Sequence, residues 1–305
     1  MKTSVIYTLL FLTAFLHAQN DFDYRWADSL FSEVQIGSIF SERDLIQQIK
    51  GEIPVVISAP HGGYLKPDDM KDRTKGRVNQ DIKTLELSLS IINSIHEKFG
   101  KTPYAVINRI HRIKLDPNRD REAAAQGDST AEKYWSIFHN YISASINEAL
   151  DQFGYCLYFD IHAHKNKVDR IELGYLLDAS ILALPDSELN DEVFVEKSSY
   201  RLMTRHTGKS LAELIRGKTS FGQMLIEQGY ETVPSQKIPS PITEDYFAGG
   251  FNTETHSVIK KGVIAAMQIE THFTGIRDSK ENILNFGQKF SEILYNYMQL
   301  YFPEK

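Results

Sequence analysis

Four apolar runs, each too short for a helix and each ending abruptly in polar or turn residues, constrain the fold of this chain more than any other feature. They occupy residues 54–59, 104–110, 155–162 and 263–269, and a weaker run lies at 171–177. Val55, Val56 and Ile57 are continuous in apolarity, as expected of a strand covered on both faces. Between the runs the period changes. Residues 80–99 place Ile82, Leu85, Leu89, Ile92 and Ile95 at steps of three and four, which writes one helical face and puts Asp81 in the first turn. Residues 131–153 carry another helical pattern, and helices are also expected near 210–216 and 281–300. Strands alternating with helices predict an α/β fold, a three-layer α/β/α arrangement with a largely parallel mixed central sheet. Such sheets place ligands at the carboxyl ends of their strands.

No repeat, low-complexity tract or linker divides residues 19–305, which predicts a single domain. Ahead of it, Lys2, the apolar stretch 5–15 and Ala18 read as a signal peptide over residues 1–18. The stretch is short for a bilayer span, so export to the periplasm or the exterior is expected, with no integral span in the mature chain; an uncleaved anchor is the alternative. Residues 18–51, with Phe22, Tyr24 and Trp26, read as a lead-in helix, and residues 230–252, with Pro234, Pro239, Pro241 and Gly249-Gly250, as a long ordered loop.

Net charge and cysteine content exclude whole classes of function. A formal net charge of −6 offers no cationic surplus for displacing counterions, so nucleic acid is not an expected partner. Cys156 is the single cysteine, which rules out an intramolecular disulfide and a thiolate cage. A catalytic metal would have to be held by histidines and carboxylates.

The strand ends supply them. His61 follows Ser58-Ala59-Pro60 and precedes Gly62-Gly63, a turn that presents the imidazole at the sheet edge. His162 lies in Asp160-Ile161-His162-Ala163-His164. A neutral imidazole suits zinc, and a catalytic site takes three protein ligands and a water. Asp160 stands two residues before His162, close enough to hold its tautomer. His164 competes with His162, because both rings of a His-x-His strand point to one side. Asp116-Pro117-Asn118-Arg119-Asp120 reads as a loop, preceded by Arg109 and Arg112. Arg119 can grip a substrate carboxylate and Asn118 can add a hydrogen bond. At the end of the last run, Glu270 can serve as a general base.

These segments resemble the N-formylglutamate amidohydrolase family, within the zinc carboxypeptidase-like superfamily, over 58–272. Ser58-Ala59-Pro60-His61-Gly62-Gly63 resembles the strand-turn bearing a zinc histidine, and Asp160-Ile161-His162 the strand end that completes the zinc site. Asp116-Pro117-Asn118-Arg119 is similar to the Asn-Arg pair that binds a substrate carboxylate, and Gln268-Ile269-Glu270 to the strand with the catalytic Glu. Segments around Gly222 and from Gly249 to His256 are also similar to the family. Carboxypeptidases have a metal Glu three residues after the first His, where this chain has Tyr64. The resemblance therefore makes Asp81 the acidic ligand, in preference to Asp68, Asp69 or Glu86.

The resemblance implies one zinc ion on His61, Asp81 and His162, with Glu270 taking a proton from water and passing it to the leaving amine. Arg109 or His256 would steady the oxyanion, and Asn118 and Arg119 the substrate carboxylate. The implied reaction is hydrolysis of an amide next to a carboxylate, in an N-formyl or N-acyl amino acid. An exported carboxypeptidase or cell-wall peptide amidase is the alternative hydrolase, and an inactive ligand-binding protein on the same fold the alternative outside enzymes. Imidazole and carboxylate also admit other divalent ions.

Overall fold

Sequence runs that end in polar residues become parallel strands whose ends converge. The structure, a computed structural model, describes residues 38–40, 45–242, 245–258 and 261–303. The expected signal peptide and most of the lead-in segment lie outside them. The central strands are β3 (Ile53–Ala59), β4 (Pro103–Asn108), β5 (Tyr155–Ala163) and β8 (Val263–Thr271), all parallel. With β1 (Ser38–Phe40), β2 (Ile46–Ile49), β6 (Ile171–Gly174) and β7 (Thr232–Val233) they form one sheet in the order β1-β2-β4-β3-β5-β8-β6-β7. The β1 and β2 pairings, and that of β6 with β8, are antiparallel, so the mixed character expected of the sheet resides at its flanks.

Two expectations are corrected here. Residues 38–40 and 46–49, read as part of a lead-in helix, are strands, because Ile46 and Ile49 are buried against the sheet edge. The helix read from residue 80 is α1 (Thr84–Phe99), and Asp81 precedes it. Lys83 takes a left-handed conformation at φ 62°, which separates Asp81 from the helix and leaves Ile82 exposed instead of on the buried face.

The two faces of the sheet carry different residues. On one, Ile57, Leu157, Phe159, Ile161, Met267 and Ile269 are buried along the full strand length. Helix α1 packs there beside the C-terminal helix Lys280–Tyr301, and Phe159 meets Phe290 edge to face at 5.3 Å. Burying each such aromatic ring contributes on the order of 2–3 kcal/mol. On the other face, the long helix Ser129–Phe153 covers Val56, Cys156, Tyr158 and Ala266 with Tyr134, Phe138, Ile142 and Ile146. Its N-cap Asp128 accepts a hydrogen bond from the Ala131 amide at 2.8 Å, and Gly154 ends it in a left-handed conformation.

Along this second face the apolar alternation stops partway. Val56 is followed two residues on by Ser58, Tyr158 by Asp160 and His162, and Ala266 by Gln268 and Glu270. Side chains at i and i+2 share a face, so the last third of three neighbouring strands lays a polar strip over the core. Short helices occupy much of 179–227, and a further helix, Phe251–His256, ends the connection before β8. No described helix is long and apolar enough to cross a membrane.

Candidate metal centre

The turn after β3 carries His61 into the strip by close backbone packing. A Cβ at Gly62 would fall 2.3 Å from the Leu85 nitrogen, and one at Gly63 2.2 Å from the Arg109 carbonyl carbon. Only glycine allows that approach. Asn108 fixes the turn from the next strand, donating to the Pro60 carbonyl at 2.7 Å. Asp81 is delivered by a backbone bond, its N–H donating to the His61 carbonyl at 3.1 Å.

The result is a compact three-residue cluster. His61 Nδ1 lies 3.3 Å and His162 Nδ1 3.4 Å from the same Asp81 oxygen, Oδ2. The three ligand atoms lie within 4.8 Å of one another and can hold a metal ion. Each imidazole is held from behind by an aspartate. His61 Nε2–H donates to Asp116 at 2.6 Å, and His162 Nε2–H to Asp160 at 2.7 Å. Those bonds turn Nδ1 of both rings toward Asp81, where a bound cation would take the place of a proton, the carboxylate–histidine arrangement that orients metal ligands. Arg112 braces the carboxylates, reaching Asp81 at 3.3 Å and Asp116 at 3.0 Å.

The electrostatics favour a cation in the cluster. Burial pushes Asp81 upward, but His61 and His162 outweigh it and hold the group well below the carboxylate range. Asp116 is likewise held down, by His61, Arg112 and Arg73 against its burial, and Asp160 by His162, Ser58 and Asn252. Burial lowers His162, yet Asp160, Asp81 and Glu270 raise it well above the imidazole range. Glu270 is in register with His162 on β8 and faces Glu172 on β6. Burial first, then Asp81 and Glu172, push its carboxyl up to about 8 against the pull of His162. Gln268 donates to its Oε1 at 2.7 Å, and Oε2 is buried without a partner. A carboxyl so placed exchanges a proton near neutrality, as a general base and acid must.

A cavity of about 690 Å³ opens on the cluster, with Asp81, Arg112, Ala163, Phe273 and Arg277 among its lining residues. The competing acidic residues do not enter the cluster: Asp68 and Asp69 are exposed, and Glu86 accepts a hydrogen bond from the Tyr64 hydroxyl. His164 is engaged at both nitrogens, donating from Nε2 to the Arg170 carbonyl at 2.7 Å and accepting the Asn166 N–H at Nδ1.

The expected substrate-binding residues are spread over several places, and Asn118 is the one beside the cluster, its Nδ2 3.3 Å from His162 Nε2. Asn118 is buried beside His162 and accepts the Asn252 N–H at 2.9 Å, while a Cβ on Gly250 would fall 2.5 Å from its Nδ2. Arg119, half exposed, lines a neighbouring cavity with Lys71 and Asp120. Arg109 does not line the cavity beside the cluster, and its backbone is bonded to Leu45 and Leu65. His256 is buried in a separate pair, its Nε2 2.9 Å from His139 Nδ1, and burial and His139 lower it to about 3. Asp116, Glu172 and Arg277 escaped the sequence reading as participants. Polar residues at alternate positions on neighbouring strands were the available signal for Glu172, whereas Asp116 lies in the loop after β4.

No protein-family model matches the sequence, and no curated protein matches it. Solved structures do. An N-formylglutamate amidohydrolase from Ralstonia eutropha aligns with 84% of this chain and 98% of its own, at 12% identity and a TM-score of 0.50. A gene product of Agrobacterium tumefaciens aligns over 86% and 97%, at 13% identity and a TM-score of 0.50. At such identities the likeness establishes the fold.

Proposed function

We propose that this chain is a metal-dependent hydrolase that cleaves an amide bond adjacent to a carboxylate, on small N-formyl- or N-acyl-amino-acid substrates. One observation carries the reading: His61, Asp81 and His162 converge with both imidazoles aspartate-backed, while Glu270 stands in register with His162. The shared fold with an N-formylglutamate amidohydrolase supports it.

His61 Nδ1, His162 Nδ1 and Asp81 Oδ2 would hold the ion, and zinc suits two imidazoles and a carboxylate. Its contribution when bound is Lewis acidity, which makes water a stronger acid and polarises the acyl oxygen. Glu270 takes the proton from the attacking water and returns it to the leaving amine nitrogen, a double duty suited to a carboxyl raised by burial. Asp116 and Asp160 hold the imidazoles in one tautomer through the cycle, and Arg112 keeps Asp81 oriented by its hold on Oδ1. The signal-like residues 1–18 support action outside the cytoplasm.

The test is metal analysis with a hydrolysis screen of N-formyl and N-acyl amino acids, with and without chelator. Chelation abolishes turnover and zinc restores it. Glu270→Gln retains the metal and loses about 10²- to 10⁴-fold in kcat. Near-normal turnover in that variant removes Glu270 from the mechanism, and a metal-free, inactive chain after zinc addition removes the hydrolase reading.

A further inference from the structure

The cavity beside the metal cluster is lined by a buried arginine that forms no ion pair among the described residues: Arg277 is 3% exposed. Other buried arginines have a carboxylate: Arg73 and Arg112 have Asp116, Arg170 has Glu172 and Arg216 has Asp186. Arg277 donates from Nη1 to the Ile82 carbonyl and from Nη2 to the Thr271 carbonyl at 3.2 Å, which fixes the guanidinium plane. Its buried Nε–H has no partner. A role confined to clamping those two carbonyls accounts for the Nη groups, but not for a desolvated charge and an idle donor, both of which are costly.

Asp81, Glu270 and Glu86 stand near enough to Arg277 to favour its charged form, but none of them is within ion-pair distance. Asp81 faces two imidazoles and Arg112, and Glu86 accepts from Tyr64. The cavity lining includes Arg77, Arg112, Lys165 and Arg277 against Asp81 as its sole carboxylate, in a chain whose net charge is −6. Beside Arg277 the wall turns apolar. Ile82 and Phe273 line it at 44% and 43% exposure, and the guanidinium lies 5.4 Å from the Phe273 ring centroid. The volume of about 690 Å³ is in the range that accepts ligands well beyond a formylated amino acid.

We infer that Arg277 receives the substrate's carboxylate and that Ile82 and Phe273 form an apolar shelf beside it. The preferred substrates are then amides bearing a free carboxylate and a sizeable apolar acyl or side-chain group. The word substrate rests on the hydrolase reading, whereas the anion site stands on Arg277 itself.

Isothermal titration of the zinc-loaded chain tests this with 3-phenylpropanoate, its neutral analogue 3-phenylpropanol, and acetate. Phenylpropanoate binds at least about 10-fold more tightly than the other two. Arg277→Met weakens it about 10- to 100-fold, the loss expected for a hydrogen bond to a charged group, while phenylpropanol affinity and zinc stoichiometry stay unchanged. Phe273→Ala weakens phenylpropanoate and leaves acetate unaffected. Unchanged phenylpropanoate affinity in folded Arg277→Met overturns the assignment, because the carboxylate must then sit on the metal or elsewhere. Should Arg277→Met not fold, the ¹⁵N-labelled wild-type chain decides: the Arg277 Nε–H signal moves with phenylpropanoate and not with phenylpropanol, and a stationary signal overturns the inference. Wild-type protein that binds the probes as described but hydrolyses no acylated amino acid refutes the hydrolase reading alone.

Discussion

Replacing the buried His139–His256 pair with leucines should flatten the pH dependence of stability between pH 7 and pH 5. The pair's tautomers follow from its surroundings. His139 Nε2–H donates to the Pro117 carbonyl at 3.0 Å, so its Nδ1 accepts the Nε2–H of His256 at 2.9 Å. A proton added to His139 Nδ1 would put two hydrogens in that contact, and one added to His256 would place a cation beside Tyr158 in the core. Burial accordingly lowers His139 to about 4, and burial with His139 lowers His256 to about 3. Unfolded imidazoles titrate near 6.5 and so bind protons first as pH falls. Stability contributed by neutral burial is therefore present above about 6.5 and is lost on the way down to the folded values. Between pH 7 and pH 5 each ring removes about 2 kcal/mol, and the pair about 4 kcal/mol. Urea unfolding followed by circular dichroism, at both pH values, measures the loss for wild type and for His139→Leu/His256→Leu. Other histidines contribute equally to both proteins and cancel. Wild type should lose about 4 kcal/mol more than the variant; losses equal within about 1 kcal/mol would refute the buried neutral pair. The same measurement separates a structural His256 from the oxyanion role expected from sequence.

Asp116→Asn removes the charge behind His61 and the counter-ion of Arg112 and Arg73. Zinc affinity, measured by competition with a chelator, should fall about 10- to 100-fold, with about 3 kcal/mol lost from stability; unchanged affinity would take Asp116 out of the centre. Asp81, Asp116 and Asp160 are held below their unfolded values, so their contribution is present above about pH 4 and lost as pH falls below it. In metal-free protein Asp160→Asn should make that acid limb shallower, and an identical limb would contradict the coupling to His162. The proposed signal peptide predicts an intact mass for a mature chain that begins at Gln19; a full-length chain confined to the cytoplasm would overturn the signal reading.

What the sequence revealed was local or periodic. The strand runs, their polar ends and the helix Ser129–Phe153 follow from spacing, and His61 and His162 follow from their positions at strand ends. Asp81 as the acidic partner came from resemblance, since its delivery depends on the left-handed Lys83 and a backbone bond to His61 that no period encodes. Asp116 reaches His61 across 55 positions, and Glu172 faces Glu270 only because β6 runs antiparallel. Nothing in the sequence marks Arg277, because desolvation is a property of packing. Asn118 and Arg119 have the right chemistry for a carboxylate, but no period shows that Asn118 is buried between Asn252 and His162 while Arg119 lines a neighbouring cavity.

The division between strand ends and connections has an evolutionary consequence. His61, His162 and Glu270 are tied to the central sheet, whose register tolerates little change, whereas Ile82, Phe273 and Arg277 belong to the segments between elements. Substitutions in those segments can therefore redirect ligand preference while the reacting groups stay in place. On the proposed function, a lineage of such chains could diversify its diet of amides by altering a few surface connections, keeping one chemical apparatus throughout.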